Sequence, residues 1–360
     1  MEIHCVVIHS GDLFCYDEYK IGVLMSSRLT IAIPTYNRSS LLRQALDSAL
    51  AQTSPDIEIL VSDNGSTDDT QALLERYYDP RLRKIRHDTT MTRGEHGTFL
   101  FAAVTTELVL VLSDDDWIEP EFAAEVLRLY DEHPEISFAY TGCIEHYDNA
   151  ILPALVGPRV ETPLDFFAAH YAGRRQVSWC ACVLRVADIR ACGPQPADRI
   201  MGDMFFWGRI GFKGPIGCVA RNLAHYSVLR PGGGNESRSV PILNWGSEVR
   251  IIAGEIFERL QAAGLGAPQQ RQLRRDMRHY TTRSLANQFL WGRISGMTST
   301  TCLRELPGAL RFRGWTLPAL ARVIIAHILP RKVLRGLIVS AAARLAQSRS
   351  QVLSVQHASS

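Results

Sequence analysis

The run Glu107-Leu-Val-Leu-Val-Leu-Ser-Asp-Asp-Asp-Trp117 constrains this chain more than any other stretch. Residues 108–112 are aliphatic and uncharged, the composition of a strand covered on both faces. Asp114, Asp115 and Asp116 follow almost at once. Neighbouring carboxylates at ~4 Å repel by roughly 1 kcal/mol per pair in water, and several-fold more where water is partly excluded. A hard divalent cation, Mg2+ or Mn2+, would relieve that repulsion through oxygen-only ligands. The alternative is an acidic turn that caps the helix begun by Glu119-Pro-Glu-Phe122, since acidic groups favour helix N-termini. These residues alone leave both open.

Upstream, apolar runs and turn signals alternate. Leu29–Pro34 reads as a short strand stopped by proline, and Thr35-Tyr-Asn-Arg38 as a loop. Ser39 or Ser40 is placed to cap a helix over 41–52. Ile57–Ser62 is a second strand; Ser66 with Asp69 fits a capping box for a helix running to Tyr78. Residues 83–87 read as an edge strand and 97–105 as a helix. This alternation predicts an α/β domain with a mostly parallel sheet flanked by helices. Ligands collect beyond the carboxyl ends of such strands, so Thr35, Asp63 and Asp114–Asp116 are expected on one rim.

Downstream, the pattern predicts a helix over 121–132, a strand over 136–142, and irregular chain over 148–176 around one helix at 163–170. A strand at 177–184, a helix at 203–212, and two strands at 216–219 and 223–228 follow. The run from Pro231 through Gly232, Gly233 and Gly234 is flexible by composition, fit for a lid hinge or a linker. From Pro241 the pattern is helical to about Ala346. The expected division is therefore a leader (1–27), a catalytic domain (28–240), a basic helical region (241–346) and a disordered tail (347–360).

Charge supports two different jobs along the chain. Residues 1–270 hold 24 Lys+Arg against 35 Asp+Glu, whereas 271–345 hold 14 against 2. The eight cysteines form no Cys-x-x-Cys pair, which argues against a zinc site or a disulfide framework and for a reducing compartment. Residues 1–27 lack a basic start followed by a long apolar core, so they do not read as a signal peptide; Met25 is the expected natural start.

Three ordered segments now stand out: Ile31-Ala-Ile-Pro-Thr-Tyr-Asn-Arg38, Ile59-Leu-Val-Ser-Asp-Asn-Gly-Ser-Thr-Asp-Asp-Thr70, and Leu112-Ser-Asp-Asp-Asp-Trp117. Together they resemble glycosyltransferase family 2, the GT-A nucleotide-sugar transferases, in the flavour that builds bacterial surface polysaccharides. Met201-Gly-Asp-Met-Phe-Phe-Trp207 and Ala224-His-Tyr-Ser-Val-Leu-Arg230 resemble that family's acceptor-side segment. The resemblance covers roughly 28–240. It implies a Rossmann-like GT-A fold with a helical C-terminal extension, and it favours metal at the triplet. Asp116 is then the metal ligand, with Asp114 sharing the metal or holding ribose. Asp115 lies beside the nucleotide sugar. Ser113 stands where the family often has its first Asp, so the assignment among the three carboxylates stays open.

The resemblance also implies that Asp63 accepts a hydrogen bond from the base, uracil or thymine; its other role is an Asx-type turn. Pro34, Thr35 and Tyr36 would line the base pocket, or simply form a strand-to-helix turn. Arg93 would reach the diphosphate, or sit on the surface. Asp203 is the expected general base, in an apolar setting that raises a carboxylate's pKa, with helix capping as its other role. Gly202 replaces a Glu common there. His225 is weighed between metal or diphosphate contact and a structural place, and Trp179 and Trp207 between sugar stacking and core packing. A base opposite the leaving group implies inversion.

In the basic region, Trp315–Val339 interleaves apolar runs with Arg322, Arg331, Lys332 and Arg335. These charges interrupt any spanning segment of about 20 residues and fit helices lying on an anionic bilayer. The expected acceptor is a glycan or a lipid-linked sugar at the inner, cytoplasmic face of the cell membrane. The alternatives are a packed helical subdomain or a homo-oligomer contact; nucleic acid is not expected. Rival activities are a catalytically inactive membrane scaffold and a sugar nucleotidyltransferase. The latter calls for a glycine-rich phosphate loop after the first strand, and Pro34-Thr-Tyr-Asn-Arg38 is not one.

Overall fold

The uncharged runs become the inner strands of one sheet in the computed structural model, which describes residues 5–7, 13–15, 27–194, 201–229 and 241–357, with side chains from 27 to 349. The first half alternates as expected. It comprises β1 (Leu29–Thr35), α1 (Ser39–Leu50), β2 (Ile57–Asp63), α2 (Thr70–Leu74), β3 (Leu82–Arg86), α3 (Arg93–Ala103) and β4 (Leu108–Val111). Then come β5 (Trp117–Ile118), α4 (Phe122–Glu132), β6 (Phe138–Tyr147), β7 (Ala150–Pro153), β8 (Val160–Glu161) and α5 (Pro163–Tyr171). A 3-10 turn, Trp179–Ala181, leads into β9 (Cys182–Arg185), α6 (Val186–Ala191), α7 (Gly202–Ile210) and β10 (Ile216–Leu229). Five helices follow: α8 (Ile242–Ala262), α9 (Ala267–Ser295), α10 (Ser299–Ala309), α11 (Leu317–Ile328) and α12 (Arg331–His357).

The sheet runs in the order β8-β10-β6-β9-β4-β1-β2-β3. β4, β1, β2 and β3 are parallel, as are β6 and β10, and β9 lies antiparallel between the two groups. Inner strands β1, β2 and β4 are buried along almost their whole length, which is why they read as continuous apolar runs. Cys5–Val7 and Leu13–Cys15 pair with each other in a separate two-stranded ribbon.

Local chemistry moves several boundaries. Neither Ser39 nor Ser40 caps α1; the Ser39 N–H donates to Asp68 Oδ2 at 3.0 Å, from the neighbouring loop. Ser66 and Asp69 form no capping box either. Asp68 Oδ1 accepts the Thr70 N–H at 3.0 Å, while Ser66 serves Asp63 and Asn37 instead. The helix read from Gly97 begins at Arg93, because Thr92 and Glu95 form a capping box. The two strands read at 216–219 and 223–228 are one, β10, with register shifts around Asn222 that absorb its polar residues as bulges. The stretch 177–184 is strand only in its second half, since a 3-10 turn occupies Trp179–Ala181. Helix α12 continues to His357, through most of the tail expected to be disordered. The triple glycine at 232–234 lies outside the described residues.

The division drawn at residue 240 cuts through a continuous core. Trp207, Phe206 and Ile210 of α7 share one apolar cluster with Val249, Ile252, Ile256 and Phe257 of α8 and with Met277 of α9. A separate cluster joins Leu285 and Phe289 of α9 to Cys302, Val323 and Ala326. Among the described residues six cysteines are free, five of them buried. Ile256 is 1% exposed and lies in the shared core. Ile256→Ala should therefore lower the stability of the sheet-bearing half as well as the helices, by about 2–5 kcal/mol, in one transition. Equilibrium unfolding followed at once by far-ultraviolet dichroism and tryptophan fluorescence checks this. Separate transitions with only one displaced would refute it.

Candidate functional site

A cavity of about 690 Å3 opens at the carboxyl ends of β1, β2 and β4. Two loops build its rim and are stapled together. Asn37, in the left-handed conformation at φ 54°, gives its N–H to Ser66 Oγ at 2.8 Å and accepts the Thr67 N–H at 2.7 Å. The rim loop after β1 is thus held to the loop after β2 by backbone and short polar side chains.

The carboxylate triplet turns from β4 directly into β5, and α4 starts only at Phe122, so these aspartates do not cap α4. β5 pairs with β10 through Trp117 opposite His225 and Ile118 opposite Ala224. This pairing holds the triplet against the wall of the sheet. Each carboxylate has different neighbours. Asp114 accepts Thr35 Oγ1 at 2.8 Å and Arg38 Nη1 at 3.0 Å. The same Arg38 nitrogen lies 3.6 Å from Asp115 Oδ2. Asp116 Oδ1 accepts the Ser227 N–H at 2.9 Å.

Burial pushes Asp114 up to about 6, against the pull of Arg38 and with a further push from Asp115. Asp116 is raised well above the carboxylate range, first by burial and then by the charge of Asp115. Three crowded carboxylates thus stand beside an arginine that reaches two of them, an arrangement that an added cation would relieve. Among the described residues no three His, Cys, Asp or Glu side chains converge on one point as a closed cage. Mg2+ and Mn2+ commonly take one or two carboxylates and complete their shell with water and substrate phosphates, so an oxygen-only pair at a cavity wall fits them.

Asp203 lines the same cavity, in the first turn of α7. Its Oδ1 accepts the Met204 N–H at 2.8 Å, so it serves its own helix start while facing the cavity. The residue shows some surface to the cavity, yet its carboxylate lies deep among protein atoms. Burial pushes it up to about 6, eased by the Met204 N–H and reinforced by Glu248. Glu248, on α8, also accepts the Met201 N–H at 2.9 Å and so ties α8 to the start of α7.

Pro34, Thr35, Tyr36, Arg93, Asp114, Asp115 and Asp116 all line the cavity. Asp63 does not; its neighbour Asn64 does. Asp63 Oδ1 accepts the Ser66 N–H at 2.9 Å in the Asx-type turn, while the buried Oδ2 has no hydrogen-bond partner. His225 points away from the cavity. Its Nε2 meets Glu119 Oε1 at 2.7 Å, its Nδ1 meets His146 Nε2 at 2.9 Å, and Trp117 stacks on its ring. Trp207 is wholly buried and packs in the core while also lining the cavity, and Trp179 borders the cavity over Phe206.

Several lining residues were not legible as such. Arg38 stands inside the first motif but reads there as a loop residue. Trp245 of α8 and Tyr280 of α9 come from the basic region, whose charge drew attention away from its aromatic side chains. His170 of α5, pushed down to about 4 by burial, and His96 of α3, also pushed down to about 4 by burial, complete the wall as neutral rings.

Residues 30–175 match the profile of Glycosyl transferase family 2. That stretch of the chain is similar to the family 2 glycosyltransferases. An uncharacterized glycosyltransferase of Nostoc sp. is 32% identical over 105 residues, 29% of this chain and 33% of the relative. The O-antigen biosynthesis protein RfbC of Myxococcus xanthus is 34% identical over 112 residues, 30% of this chain and 9% of the relative. The matched stretch is thus a third or less of the length of these two relatives. Among solved structures, TarS residues 1–349 of S. aureus in complex with UDP-GlcNAc superposes with a TM-score of 0.57 at 16% identity. The superposition covers 86% of this chain and 92% of that one. A mannosyltransferase from Pyrobaculum calidifontis, in complex with GDP-Man and Mn2+, gives 0.51 at 15% identity, with 87% of each chain covered. These likenesses establish the GT-A type of fold. The family 2 match ends before Asp203, Trp245 and Tyr280.

A buried carboxyl held above its ordinary range penalises folding once ionised. Its contribution is harmless below about 4 and costs stability as pH rises through about 6. Asp203→Asn should therefore stabilise the metal-free protein by about 1–3 kcal/mol at pH 7.5. The gain should shrink steadily as pH falls towards 4. Urea unfolding of both proteins across that range decides it; a pH-independent gain would show that ionisation is not the cause.

Proposed function

We propose that this protein transfers a sugar, with inversion, from a nucleotide-diphosphate sugar to a hydroxyl of a glycan or lipid-linked acceptor in surface polysaccharide synthesis. The observation that carries the reading is that one cavity is lined both by Asp114, Asp115 and Asp116 and by Asp203. Relatives and neighbours support it: one relative is an O-antigen biosynthesis protein, and two neighbours hold UDP-GlcNAc and GDP-Man.

In this reading Asp116 and Asp114 hold Mg2+ or Mn2+. When bound, that cation supplies Lewis-acid stabilisation for the charge of the leaving diphosphate. Arg38, now paired with Asp114, would be released by it to face the same phosphates. Asp115 flanks the donor, and Arg93, at the first turn of α3, supplies a second positive group for the diphosphate. Pro34, Thr35 and Tyr36 form the floor under the base, and the unused Asp63 Oδ2 accepts its ring N–H, as uracil or thymine offers. Asp203, held near neutrality by burial, accepts the acceptor's proton as the oxygen attacks the anomeric carbon. Trp179, Trp245 and Tyr280 offer ring faces to the acceptor sugar on that side.

Mn2+ with UDP or dTDP should raise the Tm, GDP should do so less, and Asp116→Ala should abolish the metal-dependent part. Asp203→Asn should keep nucleotide binding and lose transfer by about 10²–10⁴-fold. In the wild type, kcat/KM for the acceptor should fall on the acid side with a midpoint near 6. Transfer that survives Asp203→Asn would refute the assignment of the base, and nucleotide binding without any transfer in the wild type would favour an inactive scaffold.

A further inference from the structure

Large exposed apolar side chains concentrate in one part of this protein. Helix α11 carries Leu317, Ile324 and Ile328 at 83%, 57% and 71% exposure, with Ile325 also exposed. With exposed Ala321 they recur at three- and four-residue spacing, so they form one stripe along the helix. The opposite face is fixed: Ala319, Val323 and Ala326 are buried against α9. The stripe therefore cannot turn inwards without breaking that contact. Isolated exposed apolar residues are ordinary, but an aligned row on an anchored helix marks an interaction surface.

The charges around it say what kind. Arg311 and Arg313 are exposed just before α11, and Arg331 and Lys332 just after it. Positive groups thus stand at both ends of a helix about 18 Å long. A helix inserted end-on would have to bury one of these ends. A helix lying flat keeps both at the level of the headgroups with its stripe below them. Among the described residues no helix is long and apolar enough to cross a membrane, in accord with a flat posture. A second copy of the chain fits less well. Pairing α11 with itself, parallel or antiparallel, sets a basic end against a basic end.

We infer that α11 docks this protein on an anionic bilayer, lying in the plane of the interface with Leu317, Ile324, Ile325 and Ile328 among the acyl chains and the flanking basic residues on the headgroups. The inference deepens the proposal of a membrane-borne acceptor and rests on it only for its purpose. The contact itself needs no transfer chemistry.

Flotation of the purified full chain with phosphatidylcholine vesicles, with and without phosphatidylglycerol, tests it. The wild type should float with the anionic vesicles, less so at high salt. Ile324→Ser with Ile328→Ser should weaken binding by about tenfold or more at every salt concentration. Arg331→Gln with Lys332→Gln should weaken it at low salt and flatten the salt dependence. Both pairs lie on the surface, and unchanged Mn2+-dependent UDP binding confirms that they fold. The inference is overturned if the double serine variant floats like the wild type. It is equally overturned if light scattering shows that the variant only dissociates a dimer. Should the wild type bind vesicles but not UDP, the docking stands and the transferase reading falls.

Discussion

Three carboxylates at the end of a buried strand carry a repulsion that the surrounding structure must hold in check. Arg38 faces two of them, Thr35 donates to Asp114, and the Ser227 N–H donates to Asp116. Each of these comes from a different element: the loop after β1, the end of β1 itself, and β10. The charge cluster therefore dictates which parts of the chain must meet. β1 must lie beside β4, its following loop must fold back over the triplet, and the long strand β10 must bring Ser227 within reach. The stapling of Asn37 to Ser66 and Thr67 keeps that loop in place at the cost of one left-handed residue.

Such a site trades stability for readiness. Asp114 and Asp203 are both held near 6 by burial, and burial with the charge of Asp115 raises Asp116 well above its ordinary value. A fold selected only for stability would replace them by neutral residues of the same shape. Their retention as acids around one cavity is the physical content of the functional reading, since perturbed carboxylates in a cleft are what metal binding and proton abstraction require.

Much of this was legible before any coordinates. Fully buried parallel strands write themselves as unbroken apolar runs, and so β1, β2 and β4 and the rim they share follow from residues 29–34, 57–62 and 108–112. What escaped was set by partners far apart in sequence. Asp68 accepts the first N–H of two helices at once, α1 and α2, and no window around Ser39 contains it. The Thr92–Glu95 box, by contrast, is local, but Gly94 and Gly97 dilute the helical pattern around it. β10 looked like two strands because a bulge exposes Ala220 and Arg221 midway while the hydrogen-bonded ladder continues beyond them. His225, attractive in a motif, is turned away by the alternation of that same strand, which sends Tyr226 to the cavity and His225 to Glu119.

The basic region shows how composition can mislead about position. Its charge separates it from the acidic front half, and a boundary at 240 follows naturally from that contrast. Burial obeys different residues. Val249, Ile252, Ile256 and Phe257 lie on one face of α8 and fill the core under α7, while Trp245, one turn earlier, reaches the cavity. α8 and α9 therefore brace the helix that carries Asp203, and the later helices, α10 and α11, gather around a second core. The same stretch of chain can then complete the wall of the cavity with its first half and present a basic, apolar-striped surface with its second. If the acceptor is anchored in a bilayer, that division of labour places the rigid link between the membrane and Asp203, the proposed base, in α9, the helix that touches both clusters.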